Sequence, residues 1–394
     1  MQWIFWSTAA LIAYTYCGYP LFLWLLSFFY AQPIKRNPYF PFISIVLVVR
    51  DEAARLEAKL RNLSKLNYPA DRTEIIVVSD GSTDETNSIL AQFATSASRR
   101  VILNPHHKGK ASGLDDAMKA ARGDIIVFTD VRQEVDPGAV TLLLENFADP
   151  NVGCASGELI LGCRNSAESA NGLGTYWKLE KRLRQLEAIS GSTIGATGAF
   201  YAVRRSLFRT LPCDTILDDV YIPMNVVRFG SRVVFDSRAR VWDIPDQGRG
   251  CEFSRKVRTL SGNYQLLRLA PWLLSSANPA RFRFVSHKLT RLLVPFALLA
   301  LLLSSCFISG PIYRTALALQ IGFYALSASA FIIPKHARLL TRIADVASTF
   351  VLANTAAVVA FANFVTGRQI VWNSSSSKVP AGVFPRQAVA GPRV

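Results

Sequence analysis

Uncharged apolar stretches bracket a polar middle. Met1–Ile34, Leu292–Tyr313, Thr315–Pro334 and Val346–Gly367 contain no Asp, Glu, Lys or Arg. Each meets or exceeds the ~20 residues that a helix needs to cross a hydrocarbon core ~30 Å thick. Trp3, Trp6, Tyr14, Tyr19 and Trp24 give the first stretch the aromatic side chains favoured at membrane interfaces. It has no basic leading region and no small-x-small site near Tyr30, which marks a retained anchor rather than a signal peptide. The pattern predicts an anchor over 1–34, about three further membrane helices over 292–367, and a large domain between them.

That domain, 35–248, switches between two periods. Ile43–Val49 is a continuous β-branched run, as a strand buried on both faces requires. Glu52–Leu66 places Leu56, Leu60 and Leu63 on one helical face. Ile75–Val78 is a second strand, and Ser82-Thr83-Asp84-Glu85 reads as a capping box opening a helix to about Ser96. Val101–Leu103 is a third strand. Leu114, Ala117, Met118 and Ala121 follow at helical spacing, and Ile125–Thr129 is a fourth strand ending at Asp130. The β-α-β-α-β-α-β order predicts an α/β domain with a mostly parallel sheet and right-handed crossovers. Ligands of such sheets bind beyond the carboxyl ends of the strands. Arg50-Asp51-Glu52, Asp80-Gly81-Ser82 and Asp130-Val131-Arg132 are therefore expected around one crevice.

Composition and charge narrow the reading. Half of the 394 residues are hydrophobic and 18% are charged, against roughly 25% in ordinary soluble domains. Disordered, collagen-like and purely soluble classes are excluded on that ground. Six cysteines without a C-x-x-C pair, with Cys17 and Cys306 in apolar runs, do not make a disulfide scaffold, a zinc site or a redox pair. The chain has 44 Lys+Arg against 28 Asp+Glu, a net charge of +16. Seventeen of the basic residues but only Glu252 and Asp345 among the acidic ones lie from Arg249 onward. The basic band 249–291 abuts a predicted span, so anionic headgroups and a phosphate-bearing substrate fit it better than nucleic acid. Lys35, Arg36, Lys288 and Arg291 flank the domain and place it on the cytoplasmic side. The basic tail, 368–394, runs against that rule if three spans follow the domain. A transporter would need ionisable groups inside the spans, and the four stretches hold none.

Two nucleotide folds fall as well. Gly109-Lys110-Ala111-Ser112 has Asn104 where a phosphate-cradling loop needs Gly, and Gly191–Gly198 lacks GxGxxG spacing after a strand. His106 and His107 have no partner at metal-ligand spacing and receive no role.

Seven segments in order, followed by apolar spans, carry a resemblance. They are Ser44–Glu52, Glu74–Asp84, Gly109-Lys110, Gly123–Asp130, Gly195-Ala196-Thr197-Gly198-Ala199, Leu217-Asp218-Asp219 and Arg255-Lys256-Val257-Arg258-Thr259. Together, over roughly Ser44 to Gln265, they resemble the membrane-bound inverting family 2 glycosyltransferases of the cellulose and hyaluronan synthase type. The resemblance implies a GT-A-type, Rossmann-like domain inserted between transmembrane helices of the plasma membrane. It implies transfer of a sugar from a nucleotide-diphosphate sugar, UDP by resemblance, to a growing polysaccharide or glycan acceptor. Asp130 would bind Mg²⁺ or Mn²⁺ bridging the diphosphate, Glu52 and Asp80 would hold the nucleoside, and Lys110 would face the phosphates or donor sugar. Asp219 would be the general base that takes the acceptor proton, with Asp218 positioning the acceptor. Arg255 and Arg258 share a helical face on which two guanidiniums grip a diphosphate. Phe253, Val257, Leu260, Tyr264 and Leu267 form an apolar stripe that lays this helix on the membrane surface. Alternatives remain at the level of the residues: Asp218-Asp219 as a helix cap, the arginines as headgroup contacts, and Tyr176, Trp177 and Trp242 as core rather than sugar-stacking faces.

The sequence departs from the family pattern at several positions. The usual Asp-x-Asp reads Asp130-Val131-Arg132. Either Asp130 alone anchors the metal with phosphate oxygens and water, or Arg132 partly replaces it; Glu134 substitutes only if the loop bends. Ser79 stands for an Asp of the nucleoside motif, and Val48 for a frequent Pro. Thr259 stands for the Trp that stacks on the acceptor sugar. The last change favours, as an alternative, transfer of one sugar to a lipid-linked acceptor. A catalytically weak partner subunit is the third reading.

Overall fold

The computed structural model describes residues 1–94, 96–162, 175–243, 249–330 and 338–368. The long apolar helix α1 (Gln2–Phe29) comes first. The domain then runs β1 (Ile43–Val49), α2 (Ala53–Leu63), β2 (Thr73–Asp80), α3 (Thr86–Phe93), β3 (Arg99–Asn104), α4 (Lys110–Ala120) and β4 (Ile125–Thr129). It continues with β5 (Glu134–Val135), α5 (Ala139–Leu144), β6 (Val152–Leu161), α6 (Thr175–Ile189), β7 (Phe200–Arg204), α7 (Asp218–Arg228) and β8 (Arg232–Asp243). After it come α8 (Arg249–Leu269), α9 (Arg281–Phe307), α10 (Pro311–Ser329) and α11 (Arg338–Val365).

The sheet order is β3-β2-β1-β4-β7-β6-β8-β5. The first four strands are parallel, as their buried β-branched runs predict. The second half is mixed: β7 is antiparallel to β4 and β6, β6 is parallel to β8, and β5 is antiparallel to β8. Successive residues of β1 alternate between two cores. Val46 and Val48 join Leu114 of α4 on one face, while Ile45 and Leu47 join Leu56 and Leu60 of α2 on the other. The predicted capping box does not form. The Ser82 hydroxyl accepts the Asp51 N–H (3.1 Å), and α3 begins only at Thr86, whose N–H is taken by Asp84 (3.0 Å). The first of these bonds ties the ends of β1 and β2 together.

Among the described residues three helices are long and apolar enough to cross a membrane: Gln2–Phe29, Arg281–Phe307 and Ile343–Val365. The third uncharged stretch forms α10, with Arg314 near its start, and is not among them. Buried polar contacts join two of these candidate spans to the domain. Tyr19 of α1 donates to Glu187 of α6 (2.7 Å), and His287 of α9 reaches the same oxygen (2.7 Å). Arg291 of α9 pairs with Glu180 of α6 (2.5 Å). Burial alone would raise the Glu187 carboxyl, but His287 and Tyr19 outweigh it and hold the group below its ordinary range. At the other edge Tyr264 of α8 stacks on Phe364 of α11 (5.5 Å between centroids).

Candidate active site

Asp80, at the end of β2, is fully buried. One carboxylate oxygen accepts the Lys108 N–H (2.8 Å); the other accepts the Gly109 N–H (2.9 Å) and meets His107 Nδ1 (2.7 Å). Gly81 makes room for this. Its φ is +64°, and a Cβ there would lie 2.4 Å from the His107 nitrogen. The structure therefore puts Asp80 beneath the 106–109 loop, as the clamp that aims the next residue, rather than on the open crevice. His107, given no role from the sequence, is part of this clamp; its partner lies 27 positions away.

The next residue is Lys110, at the first position of α4. A cation there opposes the helix dipole, so local helix stability does not explain it. Its Nζ lies 3.0 Å from Asp130 Oδ1 and 3.3 Å from Asp218 Oδ2. Burial would lower its pKa, but the Asp130 and Asp218 carboxylates outweigh it and raise the ammonium above its ordinary range. Asp130 keeps 38% of its side chain exposed, whereas Asp218 keeps 8%. Asp219 follows in the first turn of α7. Burial and then the Asp218 charge push its carboxyl up to about 6, against the pull of Lys288 and Lys110. No side chain hydrogen-bonds the start of α7, so the pair is not a side-chain cap in that sense. The Gly195–Gly198 turn lies directly on this carboxylate. Ala196 N–H donates to the Asp219 carbonyl (2.7 Å), and a Cβ at Gly198 would sit 2.9 Å from Asp219 Oδ2.

Glu52 stands at the end of β1, paired with Arg55 (3.4 Å); burial raises its carboxyl despite that partner. Arg132 pairs with Asp243 at the end of β8 (2.6 Å), and Gln133 donates to the same oxygen (3.0 Å). Glu134 lies in β5, opposite Trp242. Trp242 donates its indole N–H to Asp136 (2.9 Å). The side chains of Tyr176 and Trp177 lie outside the described residues. Arg258 lines a cavity with Lys110 and His107, while Arg255 is exposed and outside that lining. Among the described residues no group of three or more His, Cys, Asp or Glu is arranged to hold a metal by itself.

Sequence reasoning missed Lys59 of α2. Its ammonium, fully buried, donates to Thr129 Oγ1 (2.8 Å) and the Gln133 carbonyl (2.7 Å), bracing the loop that carries Asp130. Burial lowers its pKa to about 7. The available signal was a lysine three after Leu56 and one before Leu60, inside the apolar stripe of that helix.

A sheet with one parallel and one mixed half, with Asp130 beyond the end of β4 and with Lys110 and the Asp218-Asp219 pair at the starts of α4 and α7, is the arrangement of a GT-A fold. Residues 44–211, less than half of the chain, match the model of glycosyl transferase family 2. It is similar to the poly-beta-1,6-N-acetyl-D-glucosamine synthase of Staphylococcus epidermidis, 22% identical over 64% of this chain and 66% of that protein. It is also similar to the synthase of the same name from Staphylococcus aureus strain COL, 24% identical over 57% of this chain and 55% of that one. The alignments thus span less than two thirds of these relatives' own lengths. Among solved structures, the mannosyltransferase PcManGT of Pyrobaculum calidifontis shares the fold. It aligns with TM-score 0.68 and 21% identity over 93% of this chain and 100% of that one.

Proposed function

We propose that the chain is a membrane-embedded inverting glycosyltransferase that moves a sugar from a nucleotide-diphosphate sugar, UDP being the nucleotide, to a growing polysaccharide or glycan acceptor. The observation that carries this reading is the Lys110 ammonium held between Asp130 and Asp218, with Asp219 next in the chain and ionising near 6. Asp219 takes the proton of the acceptor hydroxyl as that oxygen bonds the anomeric carbon. The bond from that carbon to the phosphate oxygen breaks on the opposite face, and the nucleoside diphosphate leaves. One displacement inverts the configuration and needs one base. Asp218 orients the acceptor. Lys110 and Arg258 face the charge that develops on the diphosphate. Glu52 lies at the nucleoside end, and Asp80 serves it through the loop it clamps.

Asp130 suits a divalent cation. Hard cations such as Mg²⁺ bind through one or two carboxylates, substrate phosphates and water, and Asp130 is the exposed carboxylate of the group. Bound there, the cation would neutralise charge on the leaving diphosphate. Arg132, committed to Asp243, leaves that place to it. The names of the staphylococcal relatives support a polysaccharide product, and the mannosyltransferase, described in complex with GDP-Man and Mn²⁺, supports the pairing of donor with metal. Lys35 and Arg36 support a cytoplasmic domain on the plasma membrane.

A donor screen tests the reading. Purified protein in detergent receives labelled nucleotide sugars with Mg²⁺ or Mn²⁺, and the screen is repeated on Asp130→Ala and Asp219→Asn. Both variants are expected to lose transfer, and Asp219→Asn to keep donor affinity. If the native protein neither transfers nor hydrolyses any donor, the reading is wrong. Thr259, exposed on α8, favours a second reading: one sugar added to a lipid-linked acceptor. A single-sugar product instead of a ladder would select it.

A further inference from the structure

A cavity of about 460 Å³ is lined at one end by His107, Gly109 and Lys110 and at the other by the close of α11. One face of α8 forms a wall between them, carrying Arg258, Ser261, Gln265 and Arg268. Asn363, Phe364 and Arg368 complete the outer part. Lys110 is neutralised by two carboxylates. Among the described residues none pairs with Arg258, Arg268 or Arg368, and Asp214 alone brings a carboxylate to the lining. Three guanidiniums with unused donors around one cavity make a strong site for an anion.

The donor does not account for all three. Arg258 and Arg268 are ten positions apart on α8, about 15 Å along the axis. A diphosphate seated between Lys110 and Arg258 does not reach Arg268. Arg268 and Arg368 instead stand where a membrane helix ends, since the candidate span Ile343–Val365 closes three residues before Arg368. Next to them Phe361, Phe364 and Val365 are 39%, 42% and 65% exposed, an apolar strip leading away from the cavity. Cations at the mouth and an apolar strip beside it match a molecule with a charged head and a hydrocarbon tail.

We propose that the outer half of this cavity is a phosphoryl subsite. In it Arg268 and Arg368, with Asn363, hold the phosphate headgroup of a membrane lipid whose tail lies along α11. The subsite rests on the glycosyltransferase reading only for the assignment of the inner half to the donor, and its binding is measured without turnover.

Full-length protein in nanodiscs of phosphatidylcholine doped with phosphatidic acid, a lipid phosphomonoester, provides the test, with retained lipid counted by native mass spectrometry. The native protein is expected to retain phosphatidic acid over phosphatidylcholine. R268Q and R368Q should each lower that retention about tenfold while binding UDP as the native chain does. R258Q should weaken UDP and leave the lipid in place. R268K, which keeps the charge, should retain lipid better than R268Q, and this separates loss of the anion from loss of the fold. Inorganic phosphate is the soluble arm. If it fails to displace the lipid, a lipid-borne headgroup is the occupant; if it displaces the lipid, the subsite stands for phosphate of either source. Retention in R268Q and R368Q equal to native overturns the proposal. So does a loss of UDP affinity in both equal to that of R258Q, because the cavity is then a single donor site. A protein that selects phosphatidic acid yet transfers no sugar refutes the enzymatic reading and leaves the subsite standing.

Discussion

Asp219→Asn is expected to stabilise the fold above pH 6 while abolishing transfer. In the folded chain burial and the Asp218 charge raise this carboxyl from 3.8 to about 6. In the unfolded chain it returns to an ordinary value near 3.9. Between those values the folded state keeps a proton that the unfolded state has released. Stability present below about pH 4 is therefore lost as the pH rises to about 6. At 1.36 kcal/mol for each tenfold change, ionising Asp219 costs the folded protein about 3 kcal/mol at pH 8. The attraction of Lys110 and Lys288 is already contained in that net value. Asparagine matches the protonated form in shape and carries no charge, so the variant escapes the cost. For a domain of this size each kcal/mol moves the unfolding midpoint by about 2–4 °C, which places the gain near 6–12 °C at pH 8. At pH 4 the gain should almost vanish. Thermal unfolding in detergent at the two pH values measures it, alongside transfer, expected to fall at least about 10²-fold. An unchanged or lower midpoint at pH 8, or a gain that ignores pH, would refute the reasoning.

Four further outcomes follow from the same geometry. Native transfer should rise with pH through about 6 as Asp219 loses its proton, read from the pH profile of kcat/KM. Lys110→Met leaves Asp218 buried without its counter-ion; loss of transfer and about 3–5 kcal/mol of stability should appear in activity and denaturant titrations. Gly198→Ala puts a methyl group 2.9 Å from the Asp219 carboxylate, so kcat should drop roughly 10²-fold with donor KM unchanged in steady-state assays. Glu187→Ala removes the acceptor shared by Tyr19 and His287 and should cost about 3–5 kcal/mol, whereas Glu187→Gln, which still accepts from Tyr19, should cost less in the same melts.

The parallel half of the sheet was legible because strands buried on both faces leave unbroken β-branched runs, and their ends carry Glu52, Asp80 and Asp130. The mixed half was not. β6 reads Val-Gly-Cys-Ala-Ser-Gly-Glu at its start, and its glycines are there for contact rather than propensity. A Cβ at Gly153 would lie 2.5 Å from Leu207, and one at Gly157 would lie 2.5 Å from Phe200. The candidate site residues that the sequence offers are those set by motif order; contacts it does not offer are set by pairing at a distance. Arg132 reads as a partial replacement for the metal until Asp243, 111 positions on, is seen to hold it. Arg255 and Arg258 share a helical face by spacing alone, yet α8 turns only Arg258 toward Lys110. The Ser82 hydroxyl has two possible partners within reach, its own helix or the end of β1, and only the packing of the two strand ends selects the second.

The buried acids of α6 explain how the candidate spans and Asp219 are kept in register. Stability alone is a weak reason for such ions, since the desolvation of a buried pair often matches its attraction. Their placement supplies a better one. Glu180 and Glu187 fix α6 to Arg291 and His287 of α9 and to Tyr19 of α1. One turn beyond Glu180 on the same helix, Arg184 donates to Thr197 Oγ1 (2.9 Å). Thr197 precedes Gly198, whose backbone lies against the Asp219 carboxylate. Arg283 closes the far end by donating to the carbonyls of Glu187, Ser190 and Ser192. A shift of α9 relative to the sheet would have to break an ion pair, or carry α6 and the Gly195–Gly198 turn with it. Errors of about 1 Å at a reacting centre cost as much as 10²-fold in rate, so a rigid train of contacts from candidate span to Asp219 is what the proposed transfer at a membrane surface requires.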